Sequence, residues 1–89
     1  MKITYDPVRR EVNLRRYEID LADVEDVFTD IFALTQENQD NGKVRFVTLG
    51  TDSFGRLLVV TYTYHGQSDV RVLSARHANE HEQRCYEEG

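Results

Sequence analysis

The stretch Arg56 to Tyr64, Arg-Leu-Leu-Val-Val-Thr-Tyr-Thr-Tyr, constrains this chain more than any other. Its β-branched and aromatic residues favour an extended backbone. The apolar run Leu57-Leu58-Val59-Val60 does not alternate, so this strand is predicted to be central and covered in part on both faces. A central strand needs neighbours, and the sequence supplies them. Val44 to Leu49 reads as a strand, joined through the turn Thr51-Asp52-Ser53-Phe54-Gly55. On the other side the loop His65-Gly66-Gln67-Ser68 leads to a last strand, Asp69 to Ala75.

The remaining segments complete an α+β pattern. Lys2 to Tyr5 suggests a short first strand. Asp6-Pro7 is a helix start, with Asp as N-cap and Pro at the first helical position, and the helix is expected to run to about Tyr17. Its few apolar positions are Val8, Val12 and Leu14, among Arg9, Arg10, Arg15 and Arg16. A second helix is expected from Asp20, with Leu21, Val24, Val27, Phe28 and Ile31 packing on the sheet. Phe32 to Glu37 is strand-like, and Asn38-Gln39-Asp40-Asn41-Gly42 has loop chemistry. Asn79 can cap a final helix, with Glu82 as capping-box partner. The expected order is β-α-α-β-β-β-β-α: an antiparallel sheet, two helices before it and one after.

A chain of 89 residues reads as a single domain, residues 1–89. No apolar run approaches the ~20 residues that span a bilayer, and there is no signal-peptide pattern, so a cytoplasmic location without membrane attachment is expected. The single cysteine, Cys85, suits a reducing compartment and excludes an internal disulfide framework. His81 and Cys85 would share a helix face but lack further ligands at metal-site spacing, so no metal and no cofactor is expected. The net charge of −5 argues against a general nucleic-acid coat protein. Its distribution matters more. Residues 43–77 carry five bases against two acids, whereas both flanking segments are acidic. Such a basic sheet face framed by acidic helices can hold a short RNA or an acidic partner without binding polyanions at large. A solvated strand face is the plainer reading of the same arginines.

Chemistry concentrates where the last strand meets the last helix, in Asp69-Val70-Arg71-Val72-Leu73-Ser74-Ala75-Arg76-His77-Ala78-Asn79-Glu80-His81-Glu82. Two arginines, a serine and a histidine at such a join bind phosphate and handle protons well. The chain also resembles the BrnT family of type II toxins. Tyr5-Asp6-Pro7 is similar to that family's aromatic-Asp-Pro opening, and Asn13-Leu14-Arg15 to its Asn-aliphatic-basic step. Asp20-Leu21 with Val27-Phe28, then Arg45-Phe46-Val47, Leu49-Gly50 and Gly55-Arg56, follow in order. Arg71, Ser74-Ala75-Arg76, Ala78, Glu82 and Tyr86 carry the most specific part of the resemblance. The ordered set over about 80 residues, rather than any short motif, makes the match. Two departures stand out: a family Lys-His-Gly step is here Arg16-Tyr17-Glu18, and the usual base after Arg76 is His77.

The resemblance implies a RelE-like fold and a ribonuclease that cleaves RNA without a metal, blocking translation. It implies a BrnA-like ribbon-helix-helix antitoxin as partner, with operator DNA contacted only through that antitoxin. Cleavage by attack of the 2′-OH needs a base, cations around the phosphoryl oxygens and an acid for the leaving oxygen. The resemblance makes Arg71 and Arg76 the candidates for phosphate contact, Ser74 a phosphate or ribose contact, and His77 an acid or base. Arg45 and Arg56 are placed to extend an RNA track, and Tyr64 in Tyr62-Thr63-Tyr64 offers a face for base stacking, although β propensity also accounts for that run. Glu82 reads as a helix cap, and Tyr86 as packing. On a regular strand Ser74 and Arg76 share a face and Arg71 points away. A bulge near Leu73 would bring all three together; without it Arg71 serves elsewhere, for example in an ion pair. The alternative function is a catalytically weak or inactive toxin-fold module, an antitoxin partner and corepressor. Direct DNA reading finds no reader motif in the chain.

Overall fold

The Asp6 carboxylate accepts a hydrogen bond from the Val8 N–H, and Pro7 needs no such partner, so the chain turns from strand to helix at that point. The computed structural model describes residues 1–89, the side chain of Asp40 excepted. Strand β1 (Ile3–Tyr5) leads into helix α1 (Pro7–Tyr17). Strands β2 (Leu34–Asp40), β3 (Lys43–Thr51), β4 (Leu57–His65) and β5 (Asp69–His77) follow, and helix α2 (Glu80–Glu88) ends the chain. The five strands form one sheet in the order β1-β5-β4-β3-β2. No described helix is long and apolar enough to cross a membrane.

The sheet is not wholly antiparallel as the sequence suggested. β1 runs parallel to β5, pairing Ile3 with Val70 and Tyr5 with Val72. The α1 crossover does not carry the chain into another parallel strand. It lies along the open remainder of the β5 edge, where buried Asn13 replaces a strand. Its amide oxygen accepts from the Ala75 N–H at 3.0 Å, and its amide nitrogen donates to the Ala75 C=O at 2.9 Å. The same nitrogen donates to the Ile19 C=O at 2.8 Å. α1 therefore docks through an amide and not through its aliphatic residues, and Val8, Val12 and Leu14 remain exposed.

The expected second helix is instead two short 3₁₀ helices, Leu21–Asp23 and Glu25–Thr29. The reason lies in the spacing: Leu21, Val24 and Val27 recur every three residues, which is the 3₁₀ period, and all three are buried. Asp20 begins this segment by accepting from the Ala22 N–H, while Arg10 grips the same carboxylate at 2.7 and 2.8 Å. Ile31 and Phe32 fall in a turn after the segment and are exposed, so β2 starts later than expected. β2 also runs on through most of the expected loop. Only Asn41 and Gly42 form the turn, with φ of 51° and 77°, the left-handed pair of a tight hairpin.

The main core lies between the 3₁₀ segment and one face of the sheet: Ile19, Leu21, Val24 and Val27 against Leu58, Val60, Tyr62, Val70, Val72 and Ala75. The approach is close at Gly50, where an added Cβ would sit 3.0 Å from Val27 Cγ1 and 3.2 Å from the Val27 carbonyl oxygen. A smaller cluster of Leu49, Val59 and Ala78 packs on the other face, joined by Leu34, Val47, Leu57 and Tyr86 of α2. The Tyr86 hydroxyl anchors α2 by donating to Asp30 at 2.6 Å. β4 is thus apolar on both faces at Leu58 to Val60, as its sequence required.

Two stability outcomes follow from the α1 docking. Asn13→Ala leaves three buried backbone groups without partners and should cost about 2–4 kcal/mol in urea unfolding. Glu18 ends α1 in the left-handed conformation, φ 59°. Glu18→Gly should raise stability by about 0.5–1 kcal/mol in the same measurement, because glycine adopts that backbone without the Cβ clash.

Candidate nucleic-acid site on the open sheet face

Pairing between β4 and β5 shifts register in the middle of the strands. Thr61 faces Ser74 and Tyr62 faces Val72, which leaves Leu73 as an extra residue in β5. This is a β-bulge, and it resets the alternation of side chains. Val70, Val72 and Ala75 all enter the core, so Arg71, Ser74 and Arg76 all stand on the opposite face. α2 covers one end of that second face. The remainder carries Arg45, Thr61, Thr63, Arg71 and Ser74, each partly exposed, with Arg76 at the edge of the α2 cover.

Strand spacing sets the scale of this surface. Arg71 pairs with Thr63, and Arg45 stands one residue before Phe46, which pairs with Tyr62. Arg45 is therefore two strands from Arg71, about 10 Å. Four paired steps separate Arg71 from Arg76 along β5, about 13 Å. Arg45 borders a shallow hollow with Asn38, Val47 and Thr61. Among the described residues neither Arg45 nor Arg71 forms an ion pair.

Arg76 is held by the cap of α2. Asn79 accepts from the Glu82 N–H at 2.8 Å, and Glu82 reaches back to the Asn79 N–H at 2.9 Å. The same Glu82 carboxylate takes Arg76 Nη1 and Nη2, both at 2.8 Å, and Nη1 also donates to the His77 carbonyl at 3.2 Å. Three of the five guanidinium N–H groups are thereby used. The edge formed by Nε and the second Nη2 hydrogen has no protein partner among the described residues, and that edge matches two phosphate oxygens. Glu82 raises the affinity of Arg76 for its proton, and Arg76 in turn pulls the Glu82 carboxyl below its usual range. The Tyr17 phenol lies close enough to add to the field on Arg76. Tyr17 is the residue that reasoning along the strand missed; its place at the helix end, where the sequence departs from the family step, was the available signal.

Other candidates are placed elsewhere. His77 ends β5, exposed, on the side of the strand opposite Arg76. Arg56 belongs to the turn before β4: its Nε donates to buried Asp52 at 2.7 Å, and its guanidinium sits 5.0 Å from the Phe54 ring centre. Tyr64 lies across the sheet from the arginines, with Phe46 and Tyr62 at ring separations of 4.9 and 5.8 Å. His81 and Cys85 do approach on the α2 surface, 3.7 Å apart. No group of three or more His, Cys, Asp or Glu side chains among the described residues is arranged to hold a metal ion.

Glu82 has a dual role, cap and arginine clamp, and the two can be separated. Glu82→Gln retains a capping-box acceptor but loses the charge that holds Arg76. Because the folded Glu82 pKa is depressed, its contribution is present above the unfolded value of about 4.3 and disappears as pH falls through the lower folded value. The variant should be about 1 kcal/mol less stable than the parent at neutral pH. Thermal melts across pH should show that gap closing below about pH 4.

A family model described as the ribonuclease toxin BrnT of type II toxin–antitoxin systems matches residues 5–82. The crystal structure of the Brucella abortus ribonuclease toxin BrnT shares the fold, with a TM-score of 0.71 at 22% identity over 90% of this chain and 99% of that one. No curated protein matches the chain. The family match takes in Arg71 and Arg76, the α1 docking residue Asn13 and the Asn79–Glu82 cap of α2, and on that extent the chain belongs to the BrnT family of ribonuclease toxins of type II toxin–antitoxin systems.

Proposed function

We propose that residues 1–89 form one RelE-like toxin domain that cleaves RNA on the open sheet face, centred on Arg76, without a metal ion. The bulge at Leu73 carries this reading, because it puts Arg71, Ser74 and Arg76 on one surface. In the proposed reaction the free Nε–Nη2 edge of Arg76 grips two oxygens of the scissile phosphate. Glu82 holds the guanidinium so that little conformational freedom is lost on binding. Arg71 and Arg45 take neighbouring phosphates, and Ser74 donates to a phosphate or ribose oxygen. Charge that builds on the phosphoryl oxygens then meets cations already in place. His77, the acid–base candidate of the sequence, ends the strand on the side away from Arg76 and takes no part in this grip. The placements of Arg56 and Tyr64 favour turn and aromatic packing over substrate contact.

The proposal includes a cytoplasmic setting, a block of translation, and neutralisation by a BrnA-like ribbon-helix-helix antitoxin that covers the basic face. Operator DNA would be reached through that antitoxin alone. One observation favours a second reading, a weakly active or inactive corepressor module: the helix end beside Arg76 offers the Tyr17 phenol and no imidazole.

The test is RNA cleavage by the purified chain in EDTA, beside Arg76→Ala. The parent should cut, and the folded variant should lose about 100-fold or more in rate. Equal activity in both would remove Arg76 from the site, and cleavage only on adding a divalent metal would overturn the metal-free mechanism. Silence on free RNA and on translating ribosomes alike would leave the corepressor reading.

A further inference from the structure

α1 presents its apolar residues to solvent, and they meet β5 where the bulge is. Val8, Val12 and Leu73 line a cleft of about 340 Å³ between the helix and the strand, with Ser74 on its sheet side and Arg9, Arg16 and Tyr17 on its helix side. Ser74 belongs to the open sheet face as well, so the cleft continues that face around the β5 edge. At its far end the Tyr17 phenol is near enough to add to the field on Arg76.

The four arginines of α1 divide into two kinds. Arg10 is engaged by Asp20, and Arg15 by Glu11. Arg9 and Arg16 form no ion pair among the described residues, and both line the cleft. They are two helical turns apart, about 10.5 Å along the axis. The Arg16 guanidinium lies 5.3 Å from the Tyr17 ring centre, which forms a flat cationic wall. An aliphatic floor between two unpaired cations suits a π-face with a phosphate on either side, and single-stranded nucleic acid supplies that repeat.

We propose that the α1–β5 cleft is a nucleotide subsite for single-stranded RNA. One base lies against Val8, Val12 and Leu73, and the flanking phosphates meet Arg9 and Arg16. The inference rests on the ribonuclease reading and extends it, since it routes the strand from the cleft past Ser74 to Arg76.

The test uses the full chain and a short fluorescein-labelled 2′-O-methyl RNA, which binds but cannot undergo attack by its own 2′-oxygen. Anisotropy titrations across salt give affinity and the slope of log K against log salt. The Arg9→Ala/Arg16→Ala double variant should bind roughly tenfold more weakly and lose about 1.4 from the slope, at about 0.7 per phosphate contact on a single strand. Val12→Glu should also weaken binding, by placing a carboxylate on the cleft floor. Arg15→Ala, on a residue turned to Glu11, should match the parent. Circular dichroism melts confirm that these exposed substitutions leave the fold intact. Unchanged affinity and slope in the double variant, with binding still weakened by Arg71→Ala, would overturn the subsite and leave the ribonuclease reading standing. Absence of binding by the parent would overturn both. A double variant that binds RNA normally but no longer co-purifies with its co-expressed cognate antitoxin would assign the cleft to the antitoxin, and the proposal would fall.

Discussion

One primary amide fixes the geometry of this protein. β1 is too short to pair along all of β5, and the unpaired backbone of Ala75 would otherwise be buried without partners. Asn13 supplies a donor and an acceptor at the spacing of a strand and closes that edge. Its second amide hydrogen holds the Ile19 carbonyl, at the point where the chain leaves α1 for the 3₁₀ segment that covers the core. The same side chain therefore sets the lie of α1 along β5 and the entry of the core-forming segment. It also decides what α1 shows to solvent, because a helix docked by one buried amide has no need to bury Val8 and Val12.

The bulge at Leu73 is the second constraint, and it acts together with the first. Below it, β5 pairs with β1; above it, with the Asn13 amide. The extra residue lets Val70, Val72 and Ala75 all enter one core, which regular alternation forbids. The consequence on the opposite face is the clustering of Arg71, Ser74 and Arg76. Core packing and surface chemistry are two results of one irregularity, so a substitution that removed the bulge would disturb both.

Much of this was legible in the residues. Asp6-Pro7 and the Asn79/Glu82 pair announce helix starts because cap chemistry is local, and both caps formed as read. The apolar run of β4 marked a central strand because burial on both faces leaves no position for alternation. The parity of Arg71 against Ser74 and Arg76 even named the bulge as a condition for a shared face. What escaped was long-range or depended on period. Leu21, Val24 and Val27 fit a helix of period 3.6 as well as one of period three over so short a span, so their spacing does not separate the two. The parallel pairing of β1 could not be read because no local signal in three residues fixes a partner 67 positions away. The docking of α1 had no hydrophobic signal, because a buried amide, Asn13, and not Val8 or Val12, holds the helix to the sheet. Tyr64 read as a stacking surface until the register placed it across the sheet from every arginine of the open face.

The Arg76–Glu82 pair bears on how an acidic chain can hold RNA at all. With a net charge of −5 the molecule repels polyanions at long range, and screening confines that repulsion to roughly 10 Å at moderate salt. Attraction must then come from local, oriented cations. Four of the nine arginines are engaged by a carboxylate among the described residues: Arg10, Arg15, Arg56 and Arg76. In a simple ion pair this neutralises the group. Arg76 differs because Glu82 takes the Nη1–Nη2 end and leaves the Nε–Nη2 edge directed elsewhere. The carboxylate weakens the net field yet removes the rotational freedom of a long side chain, which is the larger entropic cost of gripping a phosphate. An arginine so held discriminates by geometry more than by charge. It favours a phosphate that arrives along the sheet face in the right plane over polyanions that approach at random.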